Sequence, residues 1–509
     1  MRGVTALCTL GTALLCSLST LSTPVRAIQL LARDARNVVG FDFQRRQVAN
    51  PVERDRLRKR KGNVVEQLLN NEVTLYFCNI TLGTPEQPLR MHLDTGSSDL
   101  WSNAPDSTLC TQNGDPCSAG GTYDRTASST YGFVNSLFNI SYVDGSSASG
   151  DYVTDTMRIG GVSLNDFQFG VGHTSSSSEG VLGIGYPTNE ALMAKSGQKP
   201  YANLPFALVK QGLINWPAYS IWLNDLDAST GSILFGGVNT EKFHGKLQTL
   251  PIQQREGGIY VDLVVPLTGL TLTTRGVTQR LAAGAVPVLL DTGSSLSYLP
   301  DPLVDTIYTA IQAIYDQPSG AAFVPCRYRD ASASFTFQFG SSRNASITVG
   351  MDELVLDLAS ITSSPDPNSK PPNIKPTFSN GEPACLFGIS PAGDSTPILG
   401  DTFLRSAYVV YDLGNNQISL AQTNFNASAD RILEIGDGAA AVPSATGSPP
   451  ATSTAGAGPT ARPLQVGPRG AWAGLVGFGA GACVGGRVNH RWRRGVRNWV
   501  FGFLDFFWF

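Results

Sequence analysis

Histidine is nearly absent: the 509 residues contain four, His92, His173, His244 and His490. None stands in a GxSxG or HExxH setting, so neither a serine hydrolase nor a zinc peptidase has a motif to rest on. His92 leads into an acidic residue from an apolar run and reads as structural. Charge is also sparse, at 15% Asp, Glu, Lys and Arg, and helical patterning is confined to short stretches such as 203–212 and 302–315. With 54 glycines and frequent Ser and Thr, this balance fits a turn-rich, all-β protein better than a helical one. Positive charge is outnumbered in the body of the chain. Residues 61–436 hold 19 Lys/Arg against 34 Asp/Glu, a net of −15. That argues against a nucleic-acid partner and is compatible with work at low pH, where many carboxylates would be protonated. A soluble, negatively charged surface is the plainer reading of the same numbers.

Apolar runs of membrane-spanning length are lacking as well. Residues 1–27, "MRGVTALCTLGTALLCSLSTLSTPVRA", place one Arg before an apolar stretch soon interrupted by Ser, Thr and Pro. This reads as a secretory signal ending at Ala27. Secretion makes the cysteines disulfide candidates. Cys8 and Cys16 leave with the signal, and Cys483 lies in the tail. Cys110 and Cys117 bracket the turn-rich "CTQNGDPC", and Cys326 and Cys385 would close a longer loop. Cys78 is left over, either as a buried thiol or as a sign of a different pairing.

Residues 28–60 are polar and rich in Arg, ending in "ERDRLRKR". Lys59-Arg60 in a secreted chain points to a pro-segment released by a kexin-like processing protease; the alternative is a basic patch that stays attached. The body then divides into two β lobes, 61–245 and 246–430, because it repeats itself. "LRMHLDTGSSDLW" recurs as "VPVLLDTGSSLSYLP", so that Asp94 is answered by Asp291. "GVLGIG" follows the first copy and "TPILGDTFL" the second. Two halves with the same pair of elements predict two similar lobes related by a pseudo-twofold axis.

Paired carboxylates across a lobe interface cannot both ionise cheaply, and such a pair shares a proton. One then serves as general base on a water while the other donates a proton to a substrate carbonyl, with no metal or cofactor required. Gly96 and Gly293 let the backbone turn sharply and bring an N–H near each carboxylate. The hydroxyls of Thr95 and Thr292 reach across to the facing loop and hold the two turns in register.

On these DTG elements the chain, over about residues 70–425, resembles the pepsin-family (A1) aspartic endopeptidases. Within that family it is most similar to the fungal yapsin-like and opsB-type secreted enzymes with a glycosylphosphatidylinositol (GPI) anchor. The resemblance implies a bilobal fold with a cleft between the lobes, polypeptide substrates, a monomer, and a pro-segment that inhibits its own enzyme. It assigns Asp94 and Asp291 to the catalytic dyad, with Ser97 and Ser294 beside them. Gly183 and Gly400 become the glycines packed against the two catalytic loops. Tyr142, in "NISYVDGSSASGDY", becomes the tyrosine of a β-hairpin flap that closes over the peptide, with Trp101 donating its indole N–H to it. The turn pair Asp144-Gly145 supports a hairpin there. Asp144 at the flap tip departs from pepsin; it would either favour Lys or Arg beside the scissile bond or only support the turn.

Sequons at Asn79, Asn139, Asn344 and Asn426 fit a secreted glycoprotein, although Asn139 is close to the flap tyrosine. Residues 431–469 read as a Ser/Thr/Pro/Gly/Ala-rich stalk. Residues 470–509 combine an apolar, Gly-rich stretch with the basic and aromatic "RVNHRWRRGVRNWVFGFLDFFWF". They read as an anchor signal, a single span with its basic side in the cytoplasm, or the product of a wrong exon. Beside the endopeptidase stand two other functions: a catalytically inactive pepsin-fold binding protein, and a structural cell-wall glycoprotein.

Overall fold

The structure is a computed structural model that describes residues 37–46, 75–142, 145–228, 230–317, 319–340, 345–357, 377–438 and 440–447. The signal stretch, Lys59-Arg60, Asp144, Asn344 and the 470–509 tail lie outside the described residues. Strands dominate because short β-branched and aromatic runs are separated by residues that turn the chain sharply. Gly160 and Gly161, with φ of 57° and 77°, close the hairpin between Ser147–Ile159 and Val162–Ser175. Arg275 and Gly276, at 51° and 77°, do the same between Val264–Thr274 and Val277–Leu290. The two helical stretches of the sequence are present as Leu204–Lys210 and Asp301–Ile311, each opened by a proline in its first turn.

A fourteen-stranded sheet runs through the molecule. At one end it carries Gly132–Ser141, Ser147–Ile159, Val162–Ser175, Leu100–Asn103, Gly180–Gly183 and Gln87–Asp94. Its middle contains Leu75–Leu82, Val39–Arg46, Thr230–Phe235 and Ala218–Trp222. The chain's late strands Ala407–Asp412 and Gln417–Thr423 continue it to Phe243–Pro251. A seven-stranded sheet, all from the second half, contains Val264–Thr274, Val277–Leu290, Ile398–Leu399 and Ser297–Leu299. The fold is therefore mostly β, with the final strands of the 246–430 stretch pairing with strands of the 61–245 stretch.

Two segments are built in more deeply than their composition suggests. Val39–Arg46 falls within the expected pro-segment, yet it pairs with Thr230–Phe235 from Val39↔Phe235 to Gln44↔Thr230 and with Leu75–Leu82 on its other side. Val39, Phe41 and Phe43 are buried in the main core. Residues 431–447 of the expected stalk are also packed. Ile432–Glu434 pairs with Gly237–Asn239, Ala445–Thr446 pairs with Phe243–Pro251, and Ile435 is fully buried. Ile432 packs against Val38 and Leu234, and Ile435, Ala441 and Val442 are buried with Val238, Phe243 and Leu247.

Disulfides join Cys110 to Cys117 and Cys326 to Cys385, with Cα separations of 5.2 and 4.9 Å. Cys78 is a buried free thiol whose pKa burial pushes up to about 12, so it stays protonated and unreactive. Asn79, Asn139 and Asn426 are exposed. Among the described residues no helix is long and apolar enough to cross a membrane.

Candidate active site

Each half delivers its aspartate in the same way. Gln87–Asp94 ends at Asp94 and runs parallel to Gly180–Gly183, Asp94 opposite Gly183. Val277–Leu290 stops one residue before Asp291 and runs parallel to Ile398–Leu399. The returning strands brace the loops: Ile184 N–H donates to Asp94 O at 3.0 Å, and Asp291 N–H to Leu399 O at 3.1 Å. Gly183 and Gly400 are at positions where a Cβ would collide with the backbone of 97–99 and 294–296.

The loops then grip each other. Thr95 N–H donates to Thr292 Oγ1 at 3.2 Å, and Thr292 N–H donates to Thr95 Oγ1 at 3.0 Å. Each hydroxyl donates onward at 2.9 Å, Thr95 to Leu290 O and Thr292 to Leu93 O. Thr95 and Thr292 are buried, so these bonds form away from competing water.

Both carboxylates are oriented alike. Asp94 Oδ1 accepts from Gly96 N–H at 2.8 Å and Oδ2 from Ser97 Oγ at 2.5 Å. Asp291 Oδ1 accepts from Gly293 N–H at 2.7 Å and Oδ2 from Ser294 Oγ at 2.8 Å. They also share one space. A Cβ on Gly96 would lie 2.6 Å from Asp291 Oδ1, and a Cβ on Gly293 would strike the Asp94 carboxylate. Each glycine thus leaves room for the opposite aspartate. Two acids held this way can bind one water and pass protons in both directions.

Beside them, Trp101 is fully buried and its Nε1–H donates to Tyr142 Oη at 2.7 Å. Tyr142 follows the strand Gly132–Ser141 and opens a hairpin turn tied by Gly145 N–H donating to Tyr142 O at 3.0 Å, with Gly145 at φ 80°. His92 is buried against Phe77, ring centroids 5.6 Å apart. Among the described residues no group of three or more His, Cys, Asp or Glu is arranged to hold a metal ion.

Sequence reasoning missed the buried polar groups behind this face. Asn203 Nδ2 donates to Gly185 O at 2.9 Å and Ser98 O at 3.3 Å, joining the loop after Asp94 to the returning strand. Its signal, an Asn before "LPFALV", looks like an ordinary helix cap. Glu190 is also buried, and burial pushes its carboxyl up to about 10. The folded protein therefore holds that proton where an unfolded chain has released it. Stability from this group is fully present below about pH 4.5 and is lost as pH rises toward 10. Asp99 and Asp412, also raised chiefly by burial, act with the same sign. Through Glu190 the melting temperature should fall progressively as pH rises above about 4.5, against the opposite contribution of Asp124, Asp151 and Asp155, whose carboxyls are lowered. Glu190→Gln should flatten that fall, and an unchanged slope would remove Glu190 from the account.

The eukaryotic aspartyl protease family profile matches residues 75–365 and 371–423. The chain is 54% identical to the probable aspartic-type endopeptidase opsB of Aspergillus oryzae, over 86% of each chain. It is 37% identical to candidapepsin-4 of Candida albicans, over 73% of this chain and 81% of that one. Among solved structures it superposes on the aspartic proteinase from Irpex lacteus with a TM-score of 0.54, covering 77% of this chain and all of that one at 18% identity.

Proposed function

The chain belongs to the eukaryotic aspartyl protease family and is an aspartic-type endopeptidase acting on polypeptides, and from that premise we propose that Asp94 and Asp291 form its catalytic dyad. One carboxylate removes a proton from a water held between them, and the water oxygen bonds to the scissile carbonyl carbon. The other, protonated, carboxyl gives its proton to the carbonyl oxygen. Collapse of the resulting diol breaks the C–N bond as a proton passes to the leaving nitrogen. Ser97 and Ser294 fix the outer oxygens, and Tyr142, held by Trp101, covers the peptide. The observation that carries this reading is the reciprocal fit of each DTG loop around the other's aspartate.

The same reading extends to the enzyme's setting. It is a monomeric secretory-pathway enzyme working at acidic pH, cut from its 28–60 pro-segment after Lys59-Arg60 by a kexin-like protease, with 37–46 either retained in the sheet or replaced, and held at the cell surface by a GPI anchor. Relatives named as secreted aspartic proteases support the secretory route. A preference for basic residues beside the scissile bond rests on Asp144, which lies outside the described residues.

Peptide hydrolysis measured across pH should peak in acid and be abolished by a pepstatin-like inhibitor. Activity that ignores the inhibitor would refute the dyad, and a pure protein with no hydrolysis would favour a binding role. Matched peptides with Arg or Leu before the scissile bond should differ in rate; equal rates would remove the basic preference. Phosphatidylinositol-specific phospholipase should release activity from cells, whereas retention in the membrane fraction would count against the lipid anchor.

A further inference from the structure

The sequence repeat breaks at one buried position. After Asp94-Thr-Gly-Ser-Ser comes Asp99, whereas after Asp291-Thr-Gly-Ser-Ser comes Leu296. Both side chains are fully buried. Leu296 packs among Leu226, Tyr298 and Leu386, so the turn after a DTG loop folds well around hydrocarbon. The carboxyl in the first half therefore meets some demand other than closing the turn.

Its partners identify that demand. Asp99 Oδ1 accepts from Tyr152 Oη at 2.8 Å and Tyr201 Oη at 2.9 Å, and Oδ2 accepts from Ala191 N–H at 2.7 Å. All three donors are neutral. Tyr152 lies on Ser147–Ile159, the second strand of the flap hairpin; Ala191 opens the short helix Ala191–Ala194; and Tyr201 precedes the helix Leu204–Lys210. Tyr152 packs edge-on against Phe138 of the first flap strand at 5.3 Å, and Phe138 packs against Trp101 at 6.2 Å. Trp101 in turn holds the flap tyrosine. The half that carries this hairpin carries the acid, and the other half has Leu296 at the matching position.

We propose that Asp99 is a positioning residue for peptide hydrolysis, clamping the flap's second strand and the 191–201 segment to the loop that presents Asp94. The clamp keeps Trp101 where Tyr142 can return to it each time the flap closes on a peptide. This rests on reading Asp94 and Asp291 as the dyad. The titratable groups facing Asp99 are Tyr152 on the flap strand, and Glu190 and Tyr201 on the 190–201 segment; Glu190 Oε2 accepts from Tyr201 N–H at 2.8 Å. Burial raises the Asp99 and Glu190 carboxyls together, while the three hydrogen bonds donated to Asp99 act the other way and favour its ionised form.

The test is Asp99→Leu, the residue that the other half uses, together with Asp99→Asn and Tyr152→Phe. Assays run well below each variant's melting temperature on a peptide long enough to reach under the flap. Asp99→Leu should raise KM by about tenfold and change kcat by less than about threefold, with Tyr152→Phe intermediate and Asp99→Asn closer to wild type. A pepstatin-like inhibitor should bind Asp99→Leu about tenfold more weakly by calorimetry. The double variant Asp99→Leu/Tyr152→Phe should be no worse than Asp99→Leu alone, since one contact is removed twice. If Asp99→Leu does not fold, Asp99→Asn and Tyr152→Phe carry the same KM comparison. A lower melting temperature with unchanged KM and inhibitor affinity would overturn the proposal, as would fully additive effects. Retained hydrolysis in Asp94→Asn would instead refute the dyad, whatever the Asp99 variants show.

Discussion

Asp94→Asn is expected to lower kcat/KM on a peptide by at least about three orders of magnitude, and Asp291→Asn by a similar factor. Both variants should melt within a few degrees of the parent. An amide neither takes a proton from water nor gives one to a carbonyl at any working pH, so one arm of the proton relay is lost. The surroundings change little, because Gly96 N–H and Gly293 N–H still find an oxygen at 2.8 and 2.7 Å. Ser97 and Ser294 need only rotate their hydroxyls to accept from the new amide. The threonine grip, which ties the loops through Thr95 and Thr292, does not involve the carboxylates. Hydrolysis by the two variants and melting by circular dichroism check this. Undiminished activity in either would remove that aspartate from the mechanism. Loss of activity with loss of fold would show that the carboxylates also hold the loops together.

Phe43→Ala is expected to destabilise the protein by about 3–5 kcal/mol, although it lies in a segment whose composition reads as disposable. Phe43 is fully buried, edge-on to Tyr76 at 5.2 Å, on a strand with partners on both sides. Total stabilities of domains are about 5–15 kcal/mol, so deleting 37–46 outright should prevent recovery of folded protein. Deletion would strip the cover from Ile233 and Phe235 and leave Thr230–Phe235 and Leu75–Leu82 each with one edge unpaired. Denaturant titration of Phe43→Ala measures the first effect, and the yield of soluble truncated chain the second. A truncated chain of normal stability would mean that another segment fills the slot. If the pro-segment is cut at Lys59-Arg60, mass spectrometry of the active enzyme will distinguish the two cases. A retained 37–46 peptide means a two-chain enzyme, and its absence means replacement of the strand.

The candidate site was legible because it is written twice. Asp94 and Asp291, with their threonines and glycines, recur in matching apolar contexts, and no other arrangement explains both copies. Val39–Arg46 was less legible although Val39, Phe41 and Phe43 alternate with Gly40, Asp42 and Gln44. The arginines around it hid a clear period of two. The packing after residue 431 depends on scattered apolar residues, Ile435, Ala441 and Val442 among them, meeting Val238, Phe243 and Leu247, which no local pattern announces. Asp99 was quoted within the first motif, but its burial is decided by residues 152, 191 and 201. A carboxyl closed in by three distant segments looks, from its neighbours in sequence, like any solvated one.

The strand order also bears on when this enzyme can exist. Ala218–Trp222 lies between Thr230–Phe235 and Ala407–Asp412, and Ala407–Asp412 is itself covered by Gln417–Thr423. The loop bearing Asp291 is braced by Leu399, more than a hundred residues later. A chain still emerging from the ribosome has its first aspartate early but lacks the sheet and the brace that complete the second. The pairing of the two DTG loops is thus complete only once the chain has been made through Leu399 and the strands that follow it, a timing set by topology.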